Sequence, residues 1–423
     1  VADPVPKSRL GPFRTFRHRN FALFAAGQVL TQTGTRIHEV AAGWLMWQMT
    51  GSAAWLGALA LAEIVPRVLF WPLSGLLADS MDRRRLAQVF QVLSSVQAGI
   101  LAVLAALGLV TPWILLVAAG LLGFNHSIWQ PVRMTLISRL VPPPEMPSAV
   151  AITSVLANVA RVVGPALAGP AIIWGSVAFA FGLNAISFLA VVIALQAMRL
   201  SPDETRPPPW TKANAGVWHG FKVVAAHPGM RPLFIVIAIF AVTVRPVADL
   251  LPAFAETVFD RGPEGFAALI SAMGAGAVLA GVILSWRNET KGFAMMMGLF
   301  GMLGAMATVF FAVTPHFWVA LVCMALVGVG VTGKNIAAQT LLQLSLDDAV
   351  RGRVFSLYVV LFSAAPALGA VVIGIIADKI GLAIPVISSA LIGFGASLLV
   401  FKRRQFLARH LEIMENGAGR STD

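Results

Sequence analysis

Apolar runs of 20 or more residues follow one another from residue 21 to residue 401. The hydrocarbon core of a bilayer is crossed by about 20 helical residues, so each run is long enough to span it. The composition agrees: 58% of the 423 residues are hydrophobic and 12% are charged, against about 45–50% and about 25% in soluble domains. The expected fold class is an all-α membrane protein. Its twelve spans lie at 21–48, 53–78, 87–109, 113–139, 148–173 and 177–198, then 232–258, 265–286, 293–313, 317–343, 353–377 and 382–401.

A net charge of +12 raises the question of a nucleic-acid partner, and the placement of the cations answers it. Of 31 Lys and Arg, 23 fall in the two tails, in alternate loops or at the span ends adjoining them, six fall deeper within spans, and only Arg261 and Lys379 fall in the other loops. Cytoplasmic loops carry the excess of Lys and Arg, so both termini are assigned to the cytoplasm and nucleic acid is not expected. The first 20 residues are polar and basic, unlike a cleavable signal peptide. A lone cysteine, Cys323, excludes an intramolecular disulfide and any multi-cysteine metal site. The sequon Asn288-Glu289-Thr290 falls in a loop assigned to the cytoplasm, where glycosylation is not expected.

The chain divides into a tail (1–20), a six-span bundle (21–198), a linker (199–231), a second bundle (232–401) and a second tail (402–423). The linker opens Pro-rich, as an extended segment does. It then places Val217, Phe221 and Val224 on one face, the pattern of a short helix lying on a membrane surface. The two bundles resemble each other. "GFNHSIWQPVRMTLISRL" from Gly123 aligns with "GVGVTGKNIAAQTLLQLS" from Gly328, and "GPALAG" from Gly164 aligns with "APALGA" from Ala365. A duplication in this order is a transporter feature, with the solute site expected between the repeats near the midplane.

The second span ends in "GLLADSMDRRR". Gly75 permits close helix packing, Asp79 stands at a helix boundary, and Arg83, Arg84 and Arg85 sit where cytoplasmic cations belong. On these residues the chain resembles the major facilitator superfamily, whose signature at this place is G-x-x-x-D-R-x-G-R-R. Asp82, in place of the last glycine, is similar to the macrolide and enterobactin exporter branch, while Ser80 departs from the usual Arg or Lys. In the second half, "GVILSWRNETKG" keeps Gly281 and Arg287 but has Ser285 for Asp, and an echo, "GIIADKIG" from Gly374, follows the eleventh span on the opposite side. "LVPPPEM", "GFKVVAAHPGMR" and "RVVGPALAG" resemble the same branch. The last is similar to the fifth-helix signature of proton-linked exporters, with Gly164, Pro165 and Gly169 at its centre. The resemblance implies twelve helices in two pseudo-symmetric six-helix halves, with the third, sixth, ninth and twelfth helices facing lipid.

Ionisable residues away from the span ends respect that division. Arg36 and Glu39 lie in the first, Glu63 and Arg67 in the second, Arg133 in the fourth, Arg161 in the fifth, Arg245 and Asp249 in the seventh and Lys334 in the tenth. The four implied outer helices carry none. Each central cation costs at least about 2.5–3.5 kcal/mol and is kept where it faces protein or water. Spacings of three or four residues put Arg36 with Glu39, Glu63 with Arg67, and Arg245 with Asp249 on shared helix faces. Gln130 and Arg133 share a face, as do Asn158 and Arg161. Interhelical clamping accounts for any one of these. As a set, six cations face three carboxylates, and the excess suits an anion. His38 falls on another face and is expected to be a structural hydrogen-bonded residue.

The expected function is secondary active transport by alternating access, with no cofactor and no metal. Arg36, Arg161, Arg245 and Lys334, with Asn158, Gln130 and Arg133, are the candidate solute contacts. Glu39, Glu63 and Asp249 are candidate proton carriers, and Arg67 is a salt-bridge partner. The resemblance implies export by proton exchange. Electrostatics point to symport instead if an anion takes the arginine and leaves its carboxylate easier to protonate. A channel and a membrane enzyme are the competing classes, and no phosphate-cradling loop, catalytic triad or metal-ligand spacing supports the enzyme. The partners expected are a small solute, protons or a counter-ion, and lipid, for a monomer in a bacterial inner membrane. Siderophore, drug, organic acid and phosphorylated compound all stay open.

Overall fold

A computed structural model of the chain describes residues 12–71, 82–198, 217–286, 292–346 and 348–412. Among these the regular structure is helical and no strand occurs. The helices are α1 (Arg19–Thr50), α2 (Ala53–Leu69), α3 (Arg83–Ala106), α4 (Pro112–Leu140), α5 (Met146–Ala197), α6 (Val217–Ala226), α7 (Met230–Thr243) and α8 (Leu251–Thr257). They continue with α9 (Gly262–Ser285), α10 (Phe293–Val313), α11 (Phe317–Ser345), α12 (Asp348–Ile380), α13 (Ala383–Lys402) and α14 (Arg404–Leu411).

Among the described residues, nine helical segments are long and apolar enough to cross a membrane. The longest, Pro143–Ala197, is two spans joined at a kink, because Ser176 breaks α5 with φ of 85°. α1, with 32 residues, is not among the nine, and the 17 residues of α2 end just before the undescribed 72–81. With these, the set is consistent with twelve spans in an all-α membrane protein.

The seventh span differs from a single helix. α7 stops at Thr243, a 3-10 turn covers Arg245–Ala248, and α8 restarts at Leu251. Pro246 and Pro252 cause the break, since each lacks an N–H for the helical ladder and its ring clashes with the preceding turn. The interrupted backbone is satisfied locally, with Asp249 N donating to Pro246 O at 3.0 Å and Leu250 N to Val247 O at 3.2 Å. Val247, Leu250 and Leu251 are buried, so the irregular turn is shielded by protein. Arg245 and Asp249 therefore do not occupy successive turns of one α-helix, and the expectation of a shared helix face is corrected.

The chain forms two compact units. One comprises 1–41, 69–110 and 120–210, and its core packs Phe21, Phe24, Ile128, Val132, Leu136 and Leu195. The other comprises 42–68, 111–119 and 211–423, and its core packs Leu233, Ile237, Leu341, Leu342, Val354 and Tyr358. α1 runs from the first unit into the second at Ala41–Ala42. Outward stripes of large apolar residues mark the helices expected to meet lipid. Examples are Val89, Val92, Val96, Ile100 and Val103 on α3, and Met295, Leu299, Leu303 and Phe310 on α10. Such a stripe is stable against hydrocarbon and unstable in water.

The expected linker helix is α6, with Val224 buried and Phe221 exposed. Leu407 and Leu411 of α14 join the same core. The Glu412 carboxylate then accepts from Gly292 N at 2.9 Å and Ala294 N at 2.8 Å, satisfying free donors at the start of α10.

Candidate functional site

In the first unit, Arg36 on α1 donates through Nη1 to Glu39 Oε2 at 2.5 Å. The i,i+3 spacing brings them together, and both side chains remain partly exposed. Gly164 of α5 explains why the arginine stem lies where it does. A Cβ at position 164 would stand 2.5 Å from Arg36 Cβ and 3.1 Å from Thr33 O, so α5 crosses α1 directly at this residue. Pro165 and Gly169 are buried on the same helix. One turn before Gly164, Arg161 Nη1 donates to Asn158 Oδ1 at 3.2 Å on an exposed face. On α4, Gln130 is exposed, while Arg133 is half-buried with its Nε buried and without a hydrogen-bond partner.

A buried polar seam continues along α1. Thr31 Oγ1 donates to Ser187 O at 2.7 Å, and Gly34 faces Ser187 so closely that a Cβ there would lie 2.2 Å from its Oγ. His38 is buried against the Phe181 ring, with centroids 4.7 Å apart. These contacts hold α1 against the C-terminal part of α5. Of the gating motif, Gly75 and Asp79 lie outside the described residues. Asp82 is the N-cap of α3, accepting from Arg85 N at 2.9 Å. Arg83 is buried, and Arg84 Nη2 donates to Gln196 O at 3.1 Å.

In the second unit, Glu63 and Arg67 form an ion pair along α2. The other two cations rest on aromatic faces. The Arg245 guanidinium lies 4.2 Å from the Phe362 ring centroid, and its Nη1 donates to Phe362 O at 3.1 Å. Phe362 stacks on Tyr358 at 5.7 Å and 19°, and the Tyr358 hydroxyl accepts from Gln339 Nε2 at 3.2 Å. Lys334 is 1% exposed, and its Nζ lies 4.3 Å from the Phe240 ring centroid. A ring face offers a desolvated cation part of what water would supply.

Arg133 and Lys334 form no ion pair among the described residues. A charge kept inside a membrane protein without a carboxylate raises the local positive potential, which draws an anion. Full burial of Lys334 in this conformation makes its contribution one of field rather than contact. Sequence reasoning found the cations but missed Phe240, Tyr358 and Phe362. Nothing in the primary sequence links Arg245 to a phenylalanine 117 residues away. Nor does it link Gly164 to Arg36, although the glycine itself was legible as a packing signal.

Apolar spans, a broken helix shielded by protein, and cations within several spans are features of a polytopic membrane transporter. The chain belongs to the major facilitator superfamily, in its transmembrane secretion effector family, which residues 10–415 match. It is similar to macrolide efflux protein A of Streptococcus pyogenes, at 22% identity over 84% of this chain and 89% of that protein. It is also similar to the staphyloferrin A transporter of Staphylococcus aureus, at 24% identity over 85% and 90% respectively. The fold matches a bacterial homolog of the human lysosomal transporter Spinster with a TM-score of 0.72, at 15% identity over 93% of this chain and 98% of that one.

Proposed function

We propose that the protein exports a small organic anion from the cytoplasm in exchange for protons, by alternating access. The observation that carries the anion assignment is the imbalance inside the spans. Arg36 and Arg67 hold carboxylates, whereas Lys334 and Arg133 form no ion pair among the described residues. Arg36, Arg161, Arg245 and Lys334 supply the attraction, and the planar guanidinium fork suits a carboxylate or phosphate. Asn158, Gln130 and Arg133 are further polar solute contacts in this reading, and Glu39, Glu63 and Asp249 are the carriers of the exchanged proton. Resemblance to efflux proteins supports export.

One observation favours a second reading. The Arg36–Glu39 pair is made at 2.5 Å, so an anion that captures Arg36 leaves Glu39 unpaired and easier to protonate. Proton and anion would then travel together, which is uptake by symport.

Flux in proteoliposomes with an imposed proton gradient separates the two. Exchange requires that an inward proton gradient drives solute outward, and symport requires the reverse. Arg245→Gln is expected to abolish transport at unchanged folded yield. Transport by that variant at the parent rate removes Arg245 from the solute site, and flux without saturation refutes a carrier.

A further inference from the structure

The echo "GIIADKIG" from Gly374 has no place in the solute site, yet the structure gives it a definite contact. Asp378, near the end of α12, accepts from Ser52 Oγ at 2.5 Å, from Ala53 N at 2.7 Å and from Ala54 N at 3.3 Å. The two backbone groups are free first-turn donors of α2, and the helix end adds positive potential toward the carboxylate. Ser52 Oγ in turn accepts from Trp55 N at 3.4 Å. The backbones behind this cap are nearly touching. A Cβ at Gly374 would lie 2.4 Å from Ala53 O, and a Cβ at Gly57 would lie 2.5 Å from Val371 N. Two glycines, one on each helix, are therefore what let α2 and α12 close.

α2 belongs by sequence to the first repeat and α12 to the second. Their contact lies at the end of α2 that the Lys and Arg asymmetry assigns to the outside. A carboxylate on three donors in an exposed setting makes a joint that is specific but releasable, since water replaces each bond when it opens. The glycine-to-glycine approach supplies fit without bulk.

We infer that residues 52–57 and 371–378 form a releasable clasp that closes the outer face of the transporter, and that Asp378 holds it shut. The inference rests on the alternating-access reading above. When the clasp is made, the solute path is closed to the outside; when Asp378 lets go of the α2 N-terminus, the two helices part. Asp378 touches no solute, so it is a positioning residue that sets how often the outer face opens.

The test uses the full-length chain in oriented cells with Cys323 replaced by Ala. A single reporter cysteine is placed at Ala370 or, independently, at Ala53, both of which are buried in the closed contact. The probe is a membrane-impermeant maleimide added outside. In the parent background both reporters should label slowly. Asp378→Ala should speed labelling by about tenfold or more, the scale of losing charge-assisted hydrogen bonds, and Asp378→Asn should fall between. Gly57→Val is the control wedge, because a side chain at 57 forces the helices apart whatever Asp378 does. If the wedge exposes both reporters and Asp378→Ala exposes neither, the clasp role of Asp378 is overturned while alternating access stands. If neither change exposes either reporter, the outer face does not open here and both readings fall.

Discussion

Gly164→Ala tests whether the fifth-helix glycine exists to seat Arg36. The added methyl would lie 2.5 Å from Arg36 Cβ and 3.1 Å from Thr33 O, the latter a backbone atom that cannot swing aside. Overpacking of this kind costs about 1–3 kcal/mol. Alanine also recovers about 1 kcal/mol over glycine within a helix, so the net loss is up to about 2 kcal/mol. Gly182→Ala, on the part of α5 that follows the break at Ser176, is the control, because nothing lies within 4 Å of its Cβ position. That variant should be neutral or stabilised by up to about 1 kcal/mol. The gap between the two, about 1–3 kcal/mol, is about 5–150-fold in an unfolding equilibrium, readable by denaturant titration of the purified protein. Gly164→Ala should also raise the solute concentration needed for half-maximal transport, since Arg36 moves with its stem. Equal stability and equal transport for the two variants would refute the seating role.

Lys334→Met removes a buried charge while keeping the length and the contact with Phe240. Replacement of buried charges by apolar residues is often neutral or stabilising by about 1–4 kcal/mol, so thermal unfolding should not fall while transport does; a fall in stability would show that the ammonium is a structural tie. His227, at the junction of α6 and α7, accepts through Nδ1 from Gly229 N at 3.2 Å and Met230 N at 3.3 Å. Burial first, and His410 second, hold its imidazole below the usual 6.5. The folded chain therefore binds fewer protons there than the unfolded chain. The stability from this group is full above 6.5 and is lost as the pH falls through the unfolded value toward the lower folded one. Unfolding followed from about pH 8 to about pH 5 should show that acid loss in the parent and less of it in His227→Gln.

Spans, class and family could be read from the sequence because hydropathy and a local signature are carried by neighbouring residues. The Arg36–Glu39 and Glu63–Arg67 pairs were legible for the same reason, being one helical turn apart. The broken seventh span was not: its hydropathy is continuous across Pro246 and Pro252, and a hydropathy window is blind to a missing N–H. The aromatic seats of Arg245 and Lys334 and the cap on α2 were hidden because they join residues far apart in the chain. Asp378 was visible only as part of an echo, because nothing in the sequence ties it to a helix N-terminus more than 300 residues away.

The polar seam along α1 has a consequence for how the protein is made. Thr31, Gly34, Arg36 and His38 lower the hydropathy of this helix, which is why α1 falls short of the nine apolar spans. Such a segment partitions poorly into lipid by itself. The residues that make it tolerable, Gly164 and Ser187, are synthesised more than a hundred positions later. Stable insertion of α1 is therefore expected to depend on the arrival of α5, and substitutions at Gly164 or Ser187 should reduce the yield of inserted protein as well as the activity of what remains.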